Sequence, residues 1–176
     1  MIPTIQWAAM AAVLLSTSLS SGAATKASPA DEEALIIGRV EYVVMQDVGI
    51  KLKARIDTGA GVSSLDAKVL QIKPATGGSG ERVVFEIRDD AGKAKSIERK
   101  IVEWAEIKGK GTSKTSRRPV VILDFCLGGK RLEGRINLAD RSGFIYPILI
   151  GRNILKTGNF LIDPSKTFMR QPGCTS

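Results

Sequence analysis

Lys51-Leu-Lys-Ala-Arg-Ile-Asp-Thr-Gly-Ala-Gly-Val-Ser-Ser-Leu65 is the stretch on which the fold turns. Ile50, Leu52, Ala54 and Ile56 alternate with Lys51, Lys53 and Arg55, the period of two of a half-buried strand. That strand runs straight into Asp57-Thr58-Gly59-Ala60. A carboxylate at this point is positioned rather than merely solvated: Thr58 can hydrogen-bond neighbouring backbone, and Gly59 admits another chain or a substrate at close range. The same residues also spell an ordinary strand-ending Asx or Ser/Thr turn. What surrounds them has to separate the two readings.

Upstream, Leu35 to Met45 reads as a strand and Gln46 to Gly49 as a tight connection, so a hairpin delivers Asp57 to its turn. Downstream, Ser63 to Ala67 is a short continuation, Lys68 to Ile72 a short strand, and Pro74 to Gly80 a Gly-rich loop. Arg82 to Arg88 and Lys95 to Trp104 form a hairpin across Asp89-Asp90-Ala91-Gly92. Pro119 to Leu127 and Lys130 to Leu138 form another across Gly128-Gly129. Asp140 to Gly143 is a turn, Phe144 to Ile150 an apolar strand, and Arg152 to Lys156 a turn or two of helix closed near Gly158. Phe160 to Asp163 and Thr167 to Met169 supply the last strands. Short strands, Gly-rich turns and one short helix predict an all-β closed or sandwiched barrel, with no internal repeat and no second domain.

The chain has 176 residues, enough for one domain with a real core. Ile2 to Leu19 carries no charged side chain and is followed by Ser20-Ser21-Gly22-Ala23-Ala24. The expectation is a cleaved signal peptide over residues 1–23 and a periplasmic protein. The apolar run is shorter than the roughly 20 residues that span a bilayer, so no stable membrane anchor is expected, a retained N-terminal anchor being the alternative. Residues 24–34 read as a disordered lead-in, 35–170 as the folded domain and 171–176 as a tail. With 26 basic against 18 acidic residues the net charge is +8, which suits an acidic substrate or partner. The aromatic residues form no cluster with the basic ones, so nucleic acid is not the expected partner. Lys108 to Arg118 holds five cations and no acid, either a solvated loop or an arm that recruits an acidic substrate. There is no histidine, which excludes Ser-His-Asp and Cys-His catalysis and, with only Cys126 and Cys174, leaves no typical zinc site. No cofactor and no metal are expected. Cys126, in an apolar run, reads as a buried small hydrophobe, and whether it pairs with Cys174 stays open. Acid–base chemistry must fall to carboxylates, Lys or Tyr.

Arg55-Ile-Asp-Thr-Gly-Ala60 and, about ninety residues later, Tyr146-Pro-Ile-Leu-Ile-Gly-Arg-Asn-Ile-Leu155 together resemble the retropepsin family of aspartic proteases. A closer resemblance spans residues 36–170. It rests on Ile37-Gly-Arg39, Ala54 to Ala60, Ser63-Ser-Leu65, Arg118-Pro119, Asn137-Leu-Ala-Asp-Arg-Ser142, Tyr146-Pro147, Leu149-Ile-Gly-Arg152 and Leu161-Ile-Asp-Pro-Ser165. These residues are similar to the bacterial retropepsin-like family once described as ATP-dependent zinc proteases. Its members are often encoded near ATP-grasp glutamate ligases, and one branch cleaves glutamate tails. The family usually has His where this chain has Asp66, a departure that argues against zinc and leaves Asp57 untouched.

The resemblance implies a retropepsin-like acid-protease barrel in which Asp57 is the catalytic residue, and Thr58, Gly59 and Ala60 form the active-site loop. Ile150 and Gly151 would pack beneath, and Arg152 would make an ion pair with Asp66 or Asp140. Arg141 either pairs locally with Asp140 or meets a substrate carboxylate. The hairpin around Asp89 to Lys93 is the expected flap. One Asp-Thr-Gly per chain implies a homodimer sharing a carboxylate pair across its two-fold axis. The expected function is an exported aspartic peptidase hydrolysing peptide or glutamate-type amide bonds. The alternative is a non-catalytic periplasmic binding module for an acidic partner on the same barrel.

Overall fold

In the computed structural model, which describes residues 33–78, 80–108 and 115–174 (Lys108 through its backbone), strands dominate and one short helix precedes the last of them. In chain order the elements are β1 (Leu35–Gly38), β2 (Val40–Met45), β3 (Ile50–Ile56), β4 (Ser63–Asp66), β5 (Lys68–Lys73), β6 (Arg82–Arg88) and β7 (Ala94–Lys100). They continue with β8 (Glu103–Lys108), β9 (Thr115–Leu127), β10 (Lys130–Ala139), β11 (Ile148–Ile150), α1 (Arg152–Thr157) and β12 (Phe160–Asp163). The expected signal peptide and nearly all of the expected lead-in lie outside the described residues, as does the centre of the basic 108–118 segment.

The alternation at Ile50–Ile56 becomes β3, buried at Ile50, Leu52, Ala54 and Ile56. β2 pairs with it antiparallel, Tyr42 opposite Lys53. β3 then pairs with β11, β11 with β4, β4 with β10, β10 with β9 and β9 back with β2, which closes a six-stranded barrel. Closure leaves few free edges and surrounds a core of Val43, Leu52, Leu65, Leu123, Phe125, Ile136 and Ile148. β5, β6 and β7 form a separate three-stranded sheet whose inner face, Val83, Phe85, Ile87 and Ile97, joins the same core. β8 extends the barrel along the N-terminal half of β9.

The structure departs from the sequence-based expectations at four places. The first strand breaks at Arg39: β1 leaves the barrel and pairs parallel with β12, while Arg39 accepts the Ile56 N–H through its carbonyl oxygen at 3.0 Å. Gly38 allows this crossing, because a Cβ there would lie 2.6 Å from the Lys166 carbonyl oxygen. The Lys95–Trp104 strand breaks at Ile101-Val102, where the chain passes from the small sheet to the barrel. Phe144 to Pro147 is loop rather than strand, and only Ile148–Ile150 enters the sheet. Thr167 to Met169 forms no strand; Phe168 has φ 51° and ties back through its N–H to the Val40 carbonyl oxygen at 2.8 Å. Beyond it, Cys174 forms a disulfide with Cys126, with Cα atoms 5.2 Å apart.

Candidate functional site

Asp57 stands where β3 leaves the barrel. Its N–H donates to the Ile150 carbonyl oxygen at 2.9 Å, continuing the β3–β11 ladder by one residue. Its carboxylate is aimed by its own loop: Oδ1 accepts the N–H of Gly59 at 2.9 Å and of Ala60 at 3.2 Å. A Cβ at Gly59 would sit 3.1 Å from that same oxygen, so glycine keeps the turn tight around the carboxylate. Oδ2 has no hydrogen-bond partner among the described residues, and the side chain is half-buried. The group is held in place and still available.

The two motifs lock together here. Arg152 donates to the carbonyl oxygens of Thr58 at 2.9 Å and Gly59 at 2.7 Å, so it buttresses the Asp57 loop through backbone. This corrects the expected ion pair with Asp66 or Asp140. Asp66 is engaged by the Arg141 N–H at 2.6 Å, and Asp140 by the hydroxyl and N–H of Ser142. Gly151 packs against the loop so closely that a Cβ would lie 2.9 Å from the Ala60 carbonyl oxygen. Ile150 beneath it is fully buried. Ser63 and Asn153 complete the lock, a role the sequence reading did not assign. The Ser63 hydroxyl accepts the Gly151 N–H at 2.9 Å and donates to Asn153 Oδ1 at 2.8 Å, while Asn153 Oδ1 also accepts the Ser63 N–H at 3.0 Å. The signal was present, since Asn153 stood beside Arg152 in the second motif and Ser63-Ser-Leu65 in the wider resemblance.

A cleft of about 660 Å³ opens between the β4–β5 junction, β6, the start of β9 and the end of β10, and none of Asp57 to Ala60 lines it. Lys68, Arg88, Arg117 and Arg118 line it together with Asp66, Glu86 and Asp140. Arg141 is nine-tenths buried at its edge, its guanidinium 4.5 Å from the Phe144 ring. Burial pushes its pKa below the usual arginine range; Asp66 pulls it back up, Arg118 pushes it down and Asp57 pulls it up, so it lies in the field of all three. Among the described residues Arg141 forms no ion pair with Asp140, and its Nε–H reaches only the Tyr146 carbonyl oxygen at 3.4 Å.

The Asp89–Lys93 hairpin is not over Asp57, contrary to the flap expectation. Asp90 pairs with Lys53 at 3.4 Å, Lys95 donates to the Val48 carbonyl oxygen and Arg99 pairs with Asp47. At about 3.3 Å per residue, even Lys53 lies about 13 Å back along β3 from Asp57. The hairpin whose base borders the cleft is β8–β9, through Arg117 and Arg118. Among the described residues no group of three His, Cys, Asp or Glu side chains is placed to hold a metal ion.

With the loop, its Gly-Arg-Asn support and the closed barrel in place, a match to a family model over residues 36–173 decides the assignment. The chain belongs to the RimB-like family of retropepsin-like aspartic endopeptidases. A crystal structure of a Legionella pneumophila protein of unknown function superposes on this RimB-like chain with a TM-score of 0.65 and 31% identity, covering 78% of this chain and 98% of that one. A "Probable alpha-L-glutamate ligase" of Shewanella pealeana is 31% identical over 137 residues, 76% of this chain. That match takes in 29% of the ligase, so the chain spans under a third of this relative.

Proposed function

We propose that this RimB-like protein is an exported aspartic peptidase that hydrolyses peptide or glutamate-type amide bonds with Asp57 as its catalytic residue. The observation that carries the reading is the Asp57 carboxylate itself, with one oxygen fixed by the Gly59 and Ala60 N–H groups and the other open. One carboxylate is half a site. Two copies meeting about a two-fold axis would bring two Asp57 side chains together, and like carboxylates about 3 Å apart share one proton because both cannot ionise. The ionised member then takes a proton from water, and the protonated member donates to the scissile carbonyl oxygen. The pair titrates as a unit.

An acidic substrate is supported by the cations of the cleft and by the net charge of +8. Export rests on the uncharged apolar run of residues 2–19 with its small-residue end. The test is turnover of poly-glutamate and mixed peptides by wild type and Asp57→Asn, with sedimentation of both. A dimer whose turnover falls at least about a thousandfold in the variant supports the reading; equal turnover defeats it. The second reading, a periplasmic binding module for an acidic partner, is favoured by the single Asp57 per chain. It expects a strict monomer that binds acidic peptides without cutting them.

A further inference from the structure

The described surface concentrates its most exposed large apolar side chains on one loop, where Ile145 is 87% and Phe144 64% exposed. Exposed apolar residues scattered singly need no explanation, whereas two side by side at the rim of a charged cleft do. The loop is continuous with the cleft: Asp140 and Ser142 line it, and the Phe144 N–H closes a turn onto the Arg141 carbonyl oxygen at 2.8 Å. The Phe144 ring covers the buried Arg141 guanidinium. An apolar tip therefore adjoins a polar wall.

That wall is charged unevenly. Of its three carboxylates Glu86 is paired with Arg88, while Asp66 accepts the Arg141 N–H and Asp140 the Ser142 N–H and hydroxyl, which fix their direction and leave their charge. Arg117 stacks on Trp104, 4.9 Å from its ring centre. Lys68 and Arg118 form no ion pair among the described residues, and the four cations of the lining against its three carboxylates leave the cleft one charge positive. A chain of carboxylates alone would satisfy Lys68 and Arg118 and leave Phe144 and Ile145 in water. A purely apolar chain would do the reverse.

We infer that the cleft selects an amphipathic acidic peptide, with carboxylates set against Lys68 and Arg118 and an apolar side chain seated on Phe144 and Ile145. The inference deepens the peptidase reading and rests on it for the cleft being a peptide site. Seating one aliphatic side chain is expected to raise affinity about tenfold.

The test uses the full chain carrying Asp57→Asn, so that no peptide is consumed, and three blocked peptides of equal length: glutamate only, glutamate with a central leucine, and glutamine with a central leucine. The glutamate–leucine peptide is expected to bind about tenfold tighter than either of the others. Ile145→Ser, at a position too exposed to affect folding, should erase its advantage over the glutamate-only peptide. Lys68→Gln combined with Arg118→Gln should erase its advantage over the glutamine–leucine peptide. Equal binding of the two glutamate peptides, or an advantage that survives Ile145→Ser, overturns the inference. So does self-association that Ile145→Ser abolishes while the peptide advantage stays, which would assign the apolar tip to contacts between copies. Wild-type protein that shows the binding pattern yet cleaves none of the peptides would instead overturn the peptidase reading alone.

Discussion

Glu41 and Asp57 both accept more than one backbone N–H group, and they differ in what is left over. Glu41 on β2 is 1% exposed; it accepts the N–H of Gly38 at 2.7 Å, Met169 at 3.0 Å and Arg170 at 3.4 Å, so both of its oxygens are engaged. It is a buried staple that ties the C-terminal segment and β1 to the barrel, reinforced by the Cys126–Cys174 disulfide and the Tyr42–Phe168 stack. Asp57 accepts two N–H groups through one oxygen only, in a half-buried position. Burial with both oxygens committed stabilises a fold, whereas partial commitment keeps a group oriented and free to react.

The contrast breaks first at its strongest point. Asp57→Ala should remove cleavage, a loss of at least about a thousandfold, while the melting temperature moves by only a few degrees. Calorimetry beside a peptide-cleavage assay reads both, and a large loss of stability with activity retained would reverse the roles assigned here. Glu41→Gln should do the opposite. It exchanges a carboxylate acceptor for an amide in a site built of N–H donors, at a cost of about 2–3 kcal/mol in a urea melt, and activity per folded molecule should stay near wild type.

Gly151→Ala tests the support beneath Asp57. The added methyl meets the Ala60 carbonyl oxygen at 2.9 Å with backbone on both sides, so the Asp57 loop must shift. A loss of about 1–3 kcal/mol in stability is expected together with a fall in kcat larger than any change in KM. A wild-type kcat in a destabilised protein would show that the lock does not orient the carboxylate.

The smallest effect belongs to Asp140. Hydrogen bonds from the Ser142 hydroxyl and N–H hold its carboxyl below the usual aspartate range. Because the folded pKa is the lower one, its contribution is fully present above the unfolded value near 3.9 and is lost as pH falls through the folded value. Ser142→Ala should raise the Asp140 pKa toward the ordinary value, as carboxyl NMR titration would show. It should also weaken this contribution, so that the variant loses stability at a slightly higher pH on acidification. An unmoved titration would show that the N–H alone holds the carboxyl down.

Much of this site was readable before folding was considered. The two-residue alternation of β3, the Gly128-Gly129 turn with φ of 63° and 87°, and the short helix after Gly151 are local consequences of side-chain pattern and glycine freedom. The pairing of Asp57-Thr58-Gly59 with Gly151-Arg152-Asn153 was foreseen from the motifs. Arg152 was assigned a carboxylate partner because charge is what a sequence displays; it instead binds the Thr58 and Gly59 carbonyl oxygens, which every residue carries and no sequence distinguishes. The Asp89 hairpin was correctly placed as a turn and wrongly placed in space, since its partners Asp47, Val48 and Lys53 lie some forty residues away. Apolar content made Phe144 and Ile145 look like strand, yet the ladder starts only at Ile148, where β3 and β4 supply partners on both sides.

By itself the sequence determined most of the strands, the turns and the identity of Asp57 as the positioned carboxylate, because these follow from short-range periodicity and from residue chemistry at neighbouring positions. Tertiary structure decided which of that carboxylate's oxygens is held and which hairpin borders the cleft. It also decided which of the cleft's cations stay unpaired among the described residues, because each of these depends on atoms that only chain closure brings within a few ångströms.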